Sequence, residues 1–409
     1  MVLFKVGRYE TYLLAHPDEL RRVLQENPDG YDRGTLLGPL QPLIGKGLFS
    51  TDTEGWIAQR RLLNPAFRAE GDQEIAEVTR AALVRTMQKW EGSAGGTISV
   101  EHDLKMLCLD VLLEVMVAPG VEADRERIIR SLDTVLQSAS YKGQVLRLIK
   151  APWKGLRAVA GLHPDPVRDA LQWLDSFIYG VIDQCRTGRL KPGRALAPLL
   201  EAVDAGTIPI SQVRDDVATL LFAGFDTVAE MITWSLHLLA VHPETQVALR
   251  SSLSPSEGSA PAEPVKRDMQ DQDLLQTVLH EALRLYPPAW AFFRSPIRDD
   301  QVGEETVSRG SAVMICPYTQ HRHPALWDRP DEFLPERHRE GLEPCAYVPF
   351  GFGRHRCIGR HMAMLEGRLI VSEIVRRFRI EARHSATPVV NPGIIIQSKR
   401  PLRFVFHPI

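Results

Sequence analysis

The chain has 409 residues, 44% hydrophobic and 24% charged, an ordinary globular composition. Lys and Arg number 49 against 51 Asp and Glu, a net charge of −2, so no global charge points to nucleic acid as a partner. Five cysteines, odd in number and without a Cys-x-x-Cys pair, match no zinc framework and fit a reducing compartment.

Residues 1–15 alternate like a strand hairpin with Gly7 in its turn. No basic-then-apolar leader opens the chain and no apolar run reaches about 18 residues, so the expected location is cytoplasmic. From His16 the apolar residues follow the helical period, with amphipathic stretches at 76–90, 104–117, 125–138, 166–186, 213–240, 271–286 and 362–378. A Ser-, Pro- and Glu-rich stretch, 251–264, reads as an exposed loop, and β-branched pieces at 302–315 and 402–407 read as a small sheet. No repeat and no linker divides the chain. The expected fold is mainly α with small β-sheets, a single domain over 1–409.

The stretch 213–240, read as one helix, would be about 42 Å long at about 1.5 Å per residue. Its middle breaks the rules of a core helix. Gly224 costs about 1 kcal/mol against alanine, Asp226 is a charge in an apolar run, and Thr227 can bond the carbonyl of Ala223, which bends or loosens a helix. Such departures are expected at functional sites.

The most informative decapeptide is Phe350-Gly351-Phe352-Gly353-Arg354-His355-Arg356-Cys357-Ile358-Gly359. Three glycines surround one cysteine just before a helix whose apolar positions include Met362, Leu365, Leu369 and Ile370. Glycines let backbone N–H groups turn towards the sulfur, and with the positive end of the following helix these favour a thiolate. A flat group can also approach a backbone without β-carbons. Glu281 and Arg284, three apart, share a helix face and can pair. Trp56 and Arg60, four apart, put an indole donor and a guanidinium on one face, suited to an anion.

The spacing Phe-x-x-Gly-x-x-x-Cys-x-Gly resembles the haem-binding loop of the cytochrome P450 family. Three other segments resemble that family in the expected order: Ala223-Gly224-Phe225-Asp226-Thr227, its oxygen-binding stretch; Glu281-Ala282-Leu283-Arg284, its Glu-x-x-Arg helix; and Phe333-Leu334-Pro335-Glu336-Arg337, its Pro-Glu-Arg segment. The resemblance covers nearly the whole chain. It implies a prism-shaped, mostly helical P450 fold with haem b (iron protoporphyrin IX) between the long central helix and the cysteine loop. It implies Cys357 as the iron ligand, with Phe350, Gly351, His355 and Gly359 in the loop against the haem. Trp56, Arg60, Arg294 and His355 would face the haem propionates, and Arg61 would be a surface or structural residue. Ala223 and Gly224 would form the O2 groove, with Thr227 and Asp226 organising proton delivery. Glu281, Arg284 and Arg337 would form a buried structural ion network rather than a catalytic one. His321, Arg322 and His323 would be a routine loop, not a metal site.

Residues after the Pro287-Pro288 turn, Ala289, Trp290, Ala291 and Phe292, would line the substrate pocket with Ile394 or Ile395. All are apolar or aromatic, which implies an apolar substrate. The run Leu285-Tyr286-Pro287-Pro288-Ala289-Trp290 resembles members that hydroxylate carotenoid β-rings, pointing to a polyene, another terpenoid or a fatty acyl chain. The basic cluster Arg354, His355, Arg356, Arg360 and His361, with no acid among them, suits an acidic ferredoxin supplied by a ferredoxin reductase. The stretch 142–163 reads as a lid whose membrane contact is at most peripheral, and the protein as a monomer. His355 and His338 stand where the family usually has arginine and an aromatic residue, and the chain begins near the family's first strand. A peroxygenase using H2O2 and a non-catalytic haem-thiolate sensor are the alternatives. The intact Asp226-Thr227 pair favours neither.

Overall fold

The computed structural model describes residues 1–6, 9–33, 40–92, 96–140, 165–253, 274–339, 343, 345–383 and 387–409. The expected turn at Gly7, the lid 142–163 and the loop from 254 to 264 lie outside them.

Helix starts follow local chemistry. Asp52, Asp124 and Asp165 each accept a backbone N–H from the next turn, opening α1 (Thr53–Leu63), α4 (Arg125–Ala139) and α5 (Pro166–Arg186). Between them run α2 (Asp72–Glu91) and α3 (Glu101–Val111), the latter continuing as a wider π-type turn over Leu112–Val117. Then come α6 (Leu196–Asp204), α7 (Ile210–Gly224), α8 (Asp226–Val241), α9 (Pro243–Leu253), α10 (Leu274–Leu285) and α11 (Arg360–Arg377).

Two expectations need correction. The central helix is not continuous: Phe225 separates α7 from α8. The Thr227 hydroxyl donates to the Ala223 carbonyl at 2.7 Å, competing for an acceptor that the helical ladder uses, beside the weak helix former Gly224. Residues 251–253, expected to be loop, belong to α9, which carries the helical period to Leu253 with Leu249 burying its apolar face.

The strands are β1 (Val2–Val6), β2 (Tyr9–Leu14), β3 (Tyr31–Asp32), β4 (Ile98–Ser99), β5 (Phe292–Pro296), β6 (Asp300–Val302), β7 (Glu305–Val307), β8 (Ala312–Ile315), β9 (Phe378–Ala382), β10 (Val390–Pro392), β11 (Ile396–Ser398) and β12 (Arg403–Pro408). One sheet has the order β1-β2-β8-β5-β3, with β2 and β8 parallel and Tyr12 opposite Val313. A second runs β4-β12-β9, while β6-β7 and β10-β11 are hairpins. The pieces at 302–315 and 402–407, expected to form a small sheet, instead fall in the β6-β7 hairpin, the main sheet and the β4-β12-β9 sheet.

The larger apolar core gathers α2, α3, α7, α8, α10 and α11, and a smaller one lies under the five-stranded sheet with Leu14, Tyr31, Val313 and Val348. The span Ile210–Val241 is long and apolar enough to cross a membrane, but 83% of its most apolar stretch is buried within the protein, as a core helix is.

Candidate active site

The cysteine loop is a tight, self-bonded turn. The Cys357 N–H donates to Phe350 O at 2.8 Å and Gly351 N–H to Val348 O at 3.0 Å. Gly351 and Gly353 have φ of +70° and +67°, which disfavour side chains. At Gly353 a β-carbon would also sit 2.0 Å from Leu24 O, so only glycine fits between the loop and the chain beneath it. Of the five cysteines, Cys108, Cys185, Cys316 and Cys345 are buried and Cys357 is exposed. Burial of its surroundings pushes the Cys357 thiol up, while the N–H groups of Gly359 and Arg360 and the charge of Arg60 pull it down. A cation at the sulfur is what would tip it to thiolate.

Around this loop stands a cluster of cations. Arg60 donates to Arg356 O (2.9 Å) and to Asn64 Oδ1 (2.7 Å), which ties α1 to the loop. Trp56 packs edge-on against His355, with ring centroids 4.6 Å apart. Arg33 lies 5.9 Å from the Trp56 ring and also 5.9 Å from that of Phe49. Phe49 meets Phe222 of α7 at 5.6 Å, so contacts run unbroken from the middle of the central helix to His355. Burial, then the neighbouring Arg33 and Arg294, hold His355 down to about 3, so it is neutral. Burial lowers Arg33 to about 9, with Arg294 adding to it, and lowers Arg294 to about 10. Asp32 is the acid that offsets both. The Arg33 Nε is buried without a hydrogen-bond partner. Two guanidinium groups made less basic by burial, beside a third, form a site for a strong anion.

Arg33 was not legible as a site residue. Nothing around Tyr31-Asp32-Arg33 forms a motif, and its role arises from meeting Arg294 and His355 far along the chain.

The central helix opens at its break. Ala223 is exposed and Gly224 and Thr227 partly so, in two helices otherwise mostly buried. Asp226 turns the other way, 2% exposed, and pairs with Lys105 of α3 at 2.9 Å. Lys105 also lies 3.8 Å from Asp133 of α4, and burial, then Asp226, pushes nearby Glu230 up to about 8. A charge inside an apolar run demands a counterion. The sequence signals that demand but does not say which of its 49 basic residues answers it.

Glu281 and Arg284 are both fully buried and doubly bonded at 2.8 Å. Arg337 Nε and the Leu334 N–H both donate to Glu281 Oε1, at 3.0 and 2.9 Å. His338 adds a fifth bond to the carboxylate, at 2.8 Å. His321 is buried with its Nε2 accepting the Val348 N–H, at 2.9 Å. Near the Pro-Pro turn, Ala289 is exposed and Ala291 and Phe292 partly buried. The Trp290 indole donates to Gly393 O at 2.9 Å, which brings the turn beside Ile394, while Ile395 is buried.

The loop's basic cluster is less free than its sequence implies. Arg354 pairs with Asp29, His361 pairs with Asp72 at 2.7 Å, and His355 is enclosed. The acids come from distant segments, so a local count of charge misses them. Arg356 and Arg360 remain exposed.

The sequence profile of the cytochrome P450 family matches residues 1–405. The chain is a cytochrome P450. It therefore has the mainly-α P450 fold, is an oxidoreductase of the monooxygenase family and uses haem b. Bacterial P450s related to it normally take electrons from redox partners and bind apolar substrates. Cyclooctatin synthase of Streptomyces melanosporofaciens is 31% identical, over 93% of this chain and 83% of its own length. Pentalenene oxygenase of Streptomyces avermitilis is 27% identical over 94% and 85%, and human cytochrome P450 4V2 is 28% identical over 89% and 74%.

Proposed function

We propose that this P450 inserts one atom of O2 into an apolar terpenoid, polyene or fatty acyl substrate in the cytoplasm, as a monomer and a single domain. In this reading the Cys357 sulfur binds the haem iron, and Arg33, Arg60, Arg294, Trp56 and His355 receive the propionates. The observation that carries it is the cluster of three arginines with one offsetting acid, beside the one cysteine that is not buried. The unpartnered Arg33 Nε fits a carboxylate acceptor, and the glycine-lined loop fits a flat macrocycle.

Haem, when bound, supplies the redox chemistry that activates O2, helped by electron donation from the thiolate. The chain's own residues do the rest. Ala223 and Gly224 leave room at the helix break, and the Thr227 hydroxyl, held by Ala223 O, sits where it can pass a proton. Asp226 and Lys105 are the ion pair behind it. Phe350, Gly351 and Gly359 hold the loop against the haem, and Ala289, Trp290, Ala291, Phe292 and Ile394 exclude water from an apolar substrate. The names of the bacterial relatives, Cyclooctatin synthase and Pentalenene oxygenase, support a terpenoid over a carotenoid ring.

The reading is tested by titrating the purified protein with terpenes, fatty acids and carotenoids and following the haem absorption. An apolar ligand that enters the site should shift the band, and no shift with any class counts against the substrate assignment. Thr227→Ala is expected to keep haem while product formed per electron consumed falls severalfold. An unchanged ratio would remove Thr227 from proton delivery.

Arg356 and Arg360 leave a small positive surface beside the cysteine loop, which suits an acidic ferredoxin with its reductase. Reduction by such a donor should slow steeply as salt rises. A salt-independent rate would argue for a donor that docks by apolar contact.

A further inference from the structure

The segment between the short helix Gln41–Ile44 and α1 is pinned from one side by the start of α7. Asp215 Oδ2 accepts the Lys46 N–H at 2.8 Å, and Asp216 Oδ1 accepts the Leu48 N–H at 2.9 Å. Gln212 and Gln59 both donate to Lys46 O, at 3.0 and 2.9 Å. The fit is close: a β-carbon on Gly47 would come 2.1 Å from Thr219 Oγ1 and 2.5 Å from Asp215 O. On its other side the Leu48 carbonyl, one peptide unit further on, accepts Arg33 Nη1 at 2.6 Å. The next residue, Phe49, packs between the Arg33 guanidinium and Phe222.

We propose that Asp216 is a positioning residue for the anion site, holding Arg33 and Phe49 in place through the backbone of Leu48. The carboxylate takes the Leu48 N–H and the Leu48 carbonyl takes Arg33, so the residue is held from both sides. A charge-assisted bond to the N–H fixes the residue, and with it the direction of the carbonyl that receives Arg33. Asp216 lies two to three helical turns before the break at Phe225, so it acts on the reacting region only through this link.

The arrangement also makes the link depend on pH. Asp216 is fully buried, and burial pushes it up to about 7, against the Gln212 and Leu48 hydrogen bonds that pull it down. Asp215 is the charged neighbour that raises it further, while Arg214 faces Asp175 of α5 and Leu43 O, and Lys46 is exposed. Above about pH 7 the Leu48 bond is charge-assisted, and below it Asp216 is an acid and holds the peptide more weakly. Folding stability runs the opposite way. A carboxyl raised in the folded state loses stability as pH rises from its ordinary value through about 7. A merely structural role would thus loosen the whole protein as pH rises, whereas positioning tightens Arg33.

The inference rests on reading Arg33 as a haem-carboxylate partner, and the test separates the two. Haem loss to a scavenging apoprotein and hydrogen exchange of the 46–50 amides, corrected for intrinsic rate, are measured on either side of about pH 7 in wild type, Asp216→Asn, Asp216→Ala and Arg33→Ala. Wild type is expected to hold haem and protect these amides better above that pH than below. Asp216→Asn keeps an acceptor and loses the pH step. Asp216→Ala loses the amide protection and releases haem about tenfold faster, the worth of a bond of about 1.4 kcal/mol. Arg33→Ala releases haem faster yet leaves the Leu48 amide protected. If Arg33→Ala loosens haem and Asp216→Ala does not, or if the pH step survives in Asp216→Asn, the positioning role is wrong. If Arg33→Ala holds haem as wild type does, the anion reading of Arg33 is what fails.

Discussion

Cys357→Ala is expected to yield a folded protein that retains part of its haem, gives no strongly red-shifted absorption when reduced under carbon monoxide, and turns over at background rate. Cys357 is exposed, and the turn around it is closed by backbone bonds from its own N–H and that of Gly351, which alanine keeps. The arginines that would hold the propionates lie on other segments, so the macrocycle still has a charged anchor. What disappears is the one cysteine sulfur that is not buried, and with it the electron donation that a thiolate would lend to O–O cleavage. In the haem-free chain the thiol is shifted upward, so a bound iron would be what draws off its proton. Haem uptake should accordingly release a proton in wild type and none in Cys357→Ala. An unaltered spectrum in that variant would transfer the ligand role elsewhere and undo the assignment of the whole site.

What could be read beforehand divides by distance along the chain. The cysteine loop, the Glu281–Arg284 pair and the Thr227 bond to Ala223 each depend on residues within one turn or one helix, and local geometry is what periodicity and turn chemistry express. The break at Phe225 was signalled by Gly224 and Thr227 but read as a bend, because the apolar period continues across it. The parallel pairing of β2 with β8 joins opposite ends of the chain, which no local pattern encodes. Charge was the least legible feature. Asp29 and Asp72 neutralise two members of the basic loop, Lys105 answers Asp226, and Arg33 completes the anion site, all from remote segments. His338 stood out only as a departure from the family pattern. The fold explains it as a further partner for Glu281, at 2.8 Å.

Glu281→Ala is expected to cost the protein its fold rather than its chemistry. Removing this carboxylate strands Arg284, fully buried, and Arg337, with a side chain only 12% exposed. Breaking one side of a buried pair costs about 3–5 kcal/mol, a large share of the roughly 5–15 kcal/mol that holds an ordinary domain together. Soluble yield and thermal midpoint should both drop sharply, with Glu281→Gln in between because an amide still accepts from Arg284. Burial pushes Glu281 up, but the bonds from Arg284 and His338 outweigh it and hold it at about 2. Its contribution is therefore complete above its ordinary 4.5 and lost as pH falls from there towards about 2, a slope that Glu281→Gln should lack. The damage should reach the site along a traceable route. Arg284 bonds His321 O at 2.7 Å, His321 accepts from Val348 N–H, and Val348 O accepts from Gly351 N–H at the start of the cysteine loop. Haem content should fall together with the melting midpoint across a Glu281, Arg284 and Arg337 series. A Glu281→Ala protein that melted like wild type but failed to turn over would instead make the network catalytic.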